Sequence, residues 1–160
     1  MSPSVFRSRR APAVPLDLLP RERLLVAVQD RSGGWAAATD RALVTADRRL
    51  DWVDVGHAQW LDVVFVLVVE PVDAGEPAVR LALPEPGRLP ETVHERVMAS
   101  IVVSRRLAVP GGSVRVVGRD GGDGELRWQV IADRGVDAAA PDVRRAADSA
   151  VAALRAELGR

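Results

Sequence analysis

Before Pro84 the apolar residues of this chain come only in short runs, each closed by Gly, Asp or Arg. The longest, Val63 to Val69, has seven residues. Runs of about four to eight bounded by turn residues fit strands, whereas a helix needs about ten or more with a 3.6-residue period. Six strands are expected in this stretch, over residues 24–29, 35–39, 42–46, 52–60, 63–69 and 78–83. Asp30-Arg-Ser-Gly-Gly34, the polar 47–49 and the 73–75 segment mark turns between them. Continuous apolar character over 63–69 predicts a central strand or one buried on both faces. In 78–83 the alternation puts Val79, Leu81 and Leu83 on one face and Arg80 on the other.

The period changes after Pro84. Leu89, Val93, Val97 and Ile101 fall four apart and make one apolar stripe, so residues 89–105 are expected to form a helix. Pro90 suits its first turn and Arg105 and Arg106 its last. The β-branched residues 101–103 lower helix propensity in the final turns. Pro110-Gly-Gly112 ends this element. Residues 113–118 and 126–132 read as a hairpin with Asp120-Gly-Gly-Asp-Gly124 at its tip. Pro141 opens a last helix, in which Val143, Ala147, Ala150, Val151, Leu154 and Leu158 keep the 3.6 period up to Gly159. Strands first and helices later argue for an α+β fold: an antiparallel curled sheet closed by a helix, then a hairpin and a C-terminal helix. No strand–helix alternation supports a parallel nucleotide-binding sheet.

Residues 1–20 hold four prolines and read as a flexible arm, leaving 21–160 as a single domain. Residues 1–23 contain five arginines and two carboxylates, a net of +3. The arm could therefore touch an anionic membrane surface, although three net charges are few for that purpose. The arginines are not followed by an apolar run, so no signal peptide is expected. No segment approaches the roughly 20 apolar residues of a membrane-spanning helix. All 22 basic residues are arginine and are balanced by 22 acidic ones, and there is no lysine, tyrosine or asparagine. This points to a GC-rich coding bias rather than to a phosphate binder. Zero net charge and the lack of a basic stripe with interleaved aromatics exclude a nucleic-acid surface. Without cysteine there is no disulfide and no thiolate chemistry, which fits a cytoplasmic protein.

Three segments together carry a resemblance. They are Leu19-Pro-Arg-Glu-Arg-Leu24, Ala38-Thr-Asp-Arg-Ala-Leu-Val44, and Asp51-Trp-Val-Asp-Val55 with Trp60. In order and spacing they resemble bacterial pleckstrin-homology-like domains over residues 19–105, and the chain as a whole resembles small actinobacterial proteins. The resemblance implies a curled sheet sealed by the helix near 89–105, and a module that binds peptides, proteins or lipids. That fold has seven strands before its helix, one more than expected here, and it does not include the elements after residue 110.

The residues do not assemble a recognisable reaction centre. His57 and His94 are too far apart in sequence for a metal motif; His57 is expected to be half-buried and His94 exposed. No serine sits in a nucleophile motif, and Ser100 and Ser104 are expected to bond their own backbone. The glycines of 121–124 lie between two strands and not before a helix, where a phosphate cradle would need them. Asp120, Asp123 and Glu125 do not have calcium-loop spacing. No cofactor is expected. Tryptophans 35, 52, 60 and 128 are expected to anchor the core in at least three cases, with Trp52 and Trp60 on one side of a strand. Arg41, Arg48, Arg49 and Arg80 lie on or beside the first sheet and would make an anion or partner surface if they converged; Asp40, Asp47 and Asp51 among them would neutralise it. The leading expectation is a non-enzymatic binding or scaffold module with a protein or peptide partner on a sheet edge or loop rim. Membrane attachment through the arm and an enzyme with an unrecognised site are the alternatives.

Overall fold

A computed structural model describes residues 14–159. The arm expected at 1–20 therefore lies mostly outside the described residues. Four strands form the first sheet in chain order: β1 (Leu24–Gln29), β2 (Trp35–Thr39), β3 (Ala42–Thr45) and β4 (Arg49–Asp51). Local chemistry sets the turns. The Asp30 carboxylate accepts the N–H groups of Ser32 and Gly34 at 2.9 and 3.0 Å, while Gly33 takes φ +86°. Thr39 Oγ1 accepts the N–H of Ala42 at 3.0 Å and closes the β2–β3 turn.

A single 3-10 turn (Trp52–Asp54) leads into the second sheet, ordered β5 (Val55–Leu61), β6 (Val66–Pro71) and β7 (Val79–Ala82). Every pairing in both sheets is antiparallel. The strands before Pro84 thus form two sheets rather than one, meeting at a corner where the Arg31 N–H donates to Ala82 O at 2.8 Å. They also number seven and not six. The missed strand is β4: sequence reading placed a turn at 47–49 and no strand across Arg49 and Asp51. Leu50 is buried between them, and this alternation is that of a half-buried strand pairing with Ala42–Val44.

The 63–69 run divides. β6 begins at Val66, and the register pairs Val66 with Leu61. Val63, Val64 and Phe65 make the reversal between β5 and β6 and are 89%, 54% and 48% exposed. Phe65 adopts φ +55°, which a strand residue does not.

Helix α1 (Leu89–Ala99) packs against β1, β2 and β5 and so spans both sheets. Its stripe of Leu89, Val93 and Val97 enters a cluster with Leu43, Trp52, Leu67, Val69 and Leu83. The helix stops earlier than expected. The Ser100 hydroxyl donates to Val97 O at 2.6 Å, and Ile101–Val109 becomes β8. β-branched residues at 101–103 favour the extended form once the core stripe ends at Val97. The expected hairpin is then part of a third antiparallel sheet, ordered β10 (Leu126–Ala132), β9 (Gly112–Asp120), β8.

Helix α2 (Pro141–Leu158) ends at Gly159, whose φ of +68° closes the last turn. Its buried residues Ala147, Ala150 and Leu154 join Val116 in a second cluster, onto which Val103, Leu107, Trp128 and Val151 pack. Among the tryptophans, Trp52 is buried and donates Nε1–H to Thr39 O at 2.9 Å. Trp60 packs on the first cluster and Trp128 on the second, while Trp35 is half-buried at the start of β2. Trp52 sits in the 3-10 turn and Trp60 in β5, so they do not share one strand face. Among the described residues, no helix is long and apolar enough to cross a membrane.

Candidate functional site

The four arginines singled out from the sequence do not converge. Arg41 and Arg49 line a cleft of about 320 Å³, together with Asp40, Asp51, Arg96 and Arg127. Arg48 and Arg80 line a separate depression beside β7. Neighbouring positions on an extended chain point to opposite faces, so Arg48 and Arg49 part company at the start of β4. Arg48 donates to Pro77 O and pairs with Glu76 at 3.2 Å. Arg49 pairs with Asp51 at 3.2 Å, in line with the neutralisation expected. Asp47 accepts from Thr45 Oγ1, and Asp40 accepts the Arg23 N–H.

Sequence reading missed the strongest ion pair in this region. Glu22, in the segment leading to β1, has no exposed side-chain surface. Arg49 Nη1 donates to both of its oxygens, at 3.0 and 2.8 Å, and Thr39 Oγ1 donates at 2.6 Å. The N–H of Leu19 adds a fourth bond at 2.9 Å. Burial alone would push the Glu22 carboxyl up, but the bonds from Arg49, Thr39 and Leu19 outweigh it and hold it below its usual value. Such a carboxylate stays ionised and fixed. It pins the lead-in segment to the first sheet and offers no proton to a substrate. Asp54 shifts the other way, raised first by burial, against the pull of Arg127.

The remaining candidates are dispersed. His57 is exposed rather than half-buried, because an irregularity between Val55 and His57 turns it outward; His94 is exposed on α1. The 120–124 tip is bonded to itself: Asp120 accepts from the Gly122 N–H at 2.7 Å and Asp123 from the Glu125 N–H at 3.1 Å. Among the described residues, no group of three or more His, Cys, Asp or Glu is placed to hold a metal ion.

One surface combines an open strand edge with apolar side chains. β5 is an edge strand of its sheet, and α1 lies along it. Between them runs a groove of about 260 Å³, lined by Ala58, Trp60, Leu67, Pro90, Glu91 and His94. The Trp60 ring meets Phe65 edge-on, with centroids 6.2 Å apart at 80°. Phe65, Val63 and Val64 continue the apolar surface beyond the end of β5. Glu91 is the one carboxylate of the lining, and it is paired with Arg88 at 3.6 Å. A strand edge supplies backbone donors and acceptors, and the groove can take an apolar side chain. Sequence alone could not join Trp60 to Pro90 and His94, which are some thirty residues away. The signal that was available, the Val63-Val64-Phe65 triplet, looked like buried strand.

No family model, curated protein or solved structure matches the chain.

Proposed function

We propose that this chain is a non-enzymatic binding module, built on a pleckstrin-homology-like sandwich, that takes an extended apolar segment of a protein partner along β5. Seven strands in sheets of four and three, followed by a helix across both sheets, support the architectural part of this reading. The observation that carries the functional part is the unpaired edge of β5 beside an apolar groove, continued by the exposed residues 63–65. Monomeric proteins rarely leave such a patch on a bare strand edge without a use for it. An added strand would gain main-chain hydrogen bonds along β5 and insert one side chain beside Trp60.

The experiment is peptide display against the full chain, followed by hydrogen exchange of the complex with a selected peptide. Apolar extended peptides are expected, with slowed exchange at residues 57–61 and an affinity loss of about tenfold or more for Phe65→Asp. Selected peptides that protect a different strand, or that bind Phe65→Asp unchanged, would overturn the assignment.

A further inference from the structure

The two flanks of α1 differ in chemistry. Its buried stripe is Leu89, Val93 and Val97. The helical period places Pro90, Glu91 and His94 to one side of that stripe and Arg88, Thr92, Glu95 and Arg96 to the other. The first set faces β5. The second faces β1 across a groove of about 420 Å³ that also includes Arg23, Leu25 and Val26. Three guanidiniums and one carboxylate, Glu95, line this second groove.

These arginines are not consumed by internal partners. The Arg23 side chain is 78% exposed and only 3.9 Å from Asp40. Arg88 is 75% exposed, and its partner Glu91 is 70% exposed. Ion pairs so open to water contribute little and exchange readily. Among the described residues, the Arg96 side chain makes no hydrogen bond or ion pair.

β1 is an edge strand of the four-stranded sheet, so its outer backbone is unpaired. Its C-terminal half is occluded, because Gly87 sits against Val28 and Arg31 is tied to Ala82. Its N-terminal half is open. A bulge at Leu25 interrupts the pairing with β2, and Leu24 and Leu25 are 40% and 43% exposed.

We propose that this β1–α1 groove docks an acidic, extended segment of a partner protein, at a site distinct from the β5 edge. Carboxylates on one face of the segment meet Arg23, Arg88 and Arg96. Apolar residues on its other face cover Leu24 and Leu25, and its backbone extends the sheet beyond β1. A nucleic acid strand would satisfy the charges but not the leucines or the strand edge, and the groove offers no aromatic platform for bases. A neutral segment would leave Arg23 and Arg88 with only their solvent-exposed pairs to Asp40 and Glu91.

The probe is a fluorescein-labelled peptide of alternating glutamate and valine, compared with its lysine–valine counterpart, by anisotropy with the full chain. Only the glutamate peptide is expected to bind, with affinity falling as salt rises. Arg96→Glu and the fully surface variant Arg88→Glu are each expected to weaken it about tenfold. Phe65→Asp, which disables the β5 reading, should leave it unchanged. The proposal is overturned by absent or equal binding of the two peptides, or by wild-type affinity in both arginine variants. Displacement of the peptide by inorganic phosphate, an oligothymidylate or anionic vesicles at matched charge would also overturn it.

Discussion

Glu22 shows how one buried charge can organise a lead-in segment. Four hydrogen bonds converge on its carboxylate, including a doubled contact from Arg49. Glu22→Gln keeps the shape but removes the charge that balances Arg49, and should cost about 1–3 kcal/mol in chemical denaturation at neutral pH. The pH dependence has a definite sign. Because the folded chain lowers the Glu22 pKa, its contribution is complete above the ordinary value of about 4.3 and is lost as pH falls through the lower folded value. Urea midpoints measured from pH 7 down to pH 3 should fall more steeply in the native sequence than in Glu22→Gln. Among the described residues, Arg119 is also buried, only 2% exposed. It donates to Val97 O at 3.0 Å, to Ser100 Oγ at 2.8 Å and to Gln129 Oε1 at 3.3 Å, tying the end of α1 to β9 and β10. Burial pushes its guanidinium below the usual value, with only neutral acceptors around these bonds. Arg119→Ala should destabilise by about 2–4 kcal/mol. Arg119→Met fills the same space and needs no acceptor, so its melting temperature should lie above that of the alanine variant.

At the level of elements, the helices were readable because their buried positions repeat at one spacing within one stretch of chain. Leu89, Val93 and Val97 are buried as the stripe predicts. Ile101 continues the spacing but belongs to a strand, since four-residue spacing also places residues on one face of an extended chain. β4 escaped notice because a single apolar residue, Leu50, between two charged ones is too short a pattern to tell from a turn, and only its pairing with β3 defines it. Close approach is likewise invisible in a sequence. Gly118 in β9 lies beneath Val103 and Trp128; a Cβ there would meet Val103 Cγ1 at 2.9 Å and Trp128 Cζ3 at 3.1 Å. Gly118→Ala should therefore cost about 1–3 kcal/mol by overpacking, measured by thermal melting, although alanine suits a strand better than glycine. The two grooves beside α1 were not readable for a related reason. Each joins α1 to a strand that precedes it by dozens of residues, and the candidate arginines were chosen because they lie on or beside the expected first sheet. Arg49 serves Glu22, whereas Arg23, Arg88 and Arg96, which share a groove, were passed over.

Among the described residues, two buried apolar clusters have no residue in common: one built from residues 36–97 and one centred on Val116, Ala147, Ala150 and Leu154. The second is smaller, and its stability rests on α2 lying over β8 and β9. Leu154→Ala removes a buried side chain there and should cost about 2–4 kcal/mol. In native-state hydrogen exchange the loss should fall on β8–β10 and α2, while β2, β3 and β6 keep their protection.

The tryptophan placement gives this division an optical signature. With no tyrosine in the chain, near-ultraviolet emission comes almost wholly from four indoles. Trp52 lies within the first cluster, Trp128 lies over the second beneath the Arg155 guanidinium, and Trp60 borders the β5 groove. Chains retaining one indole apiece would report separately on the melting of each cluster and on occupancy at β5, without any added dye.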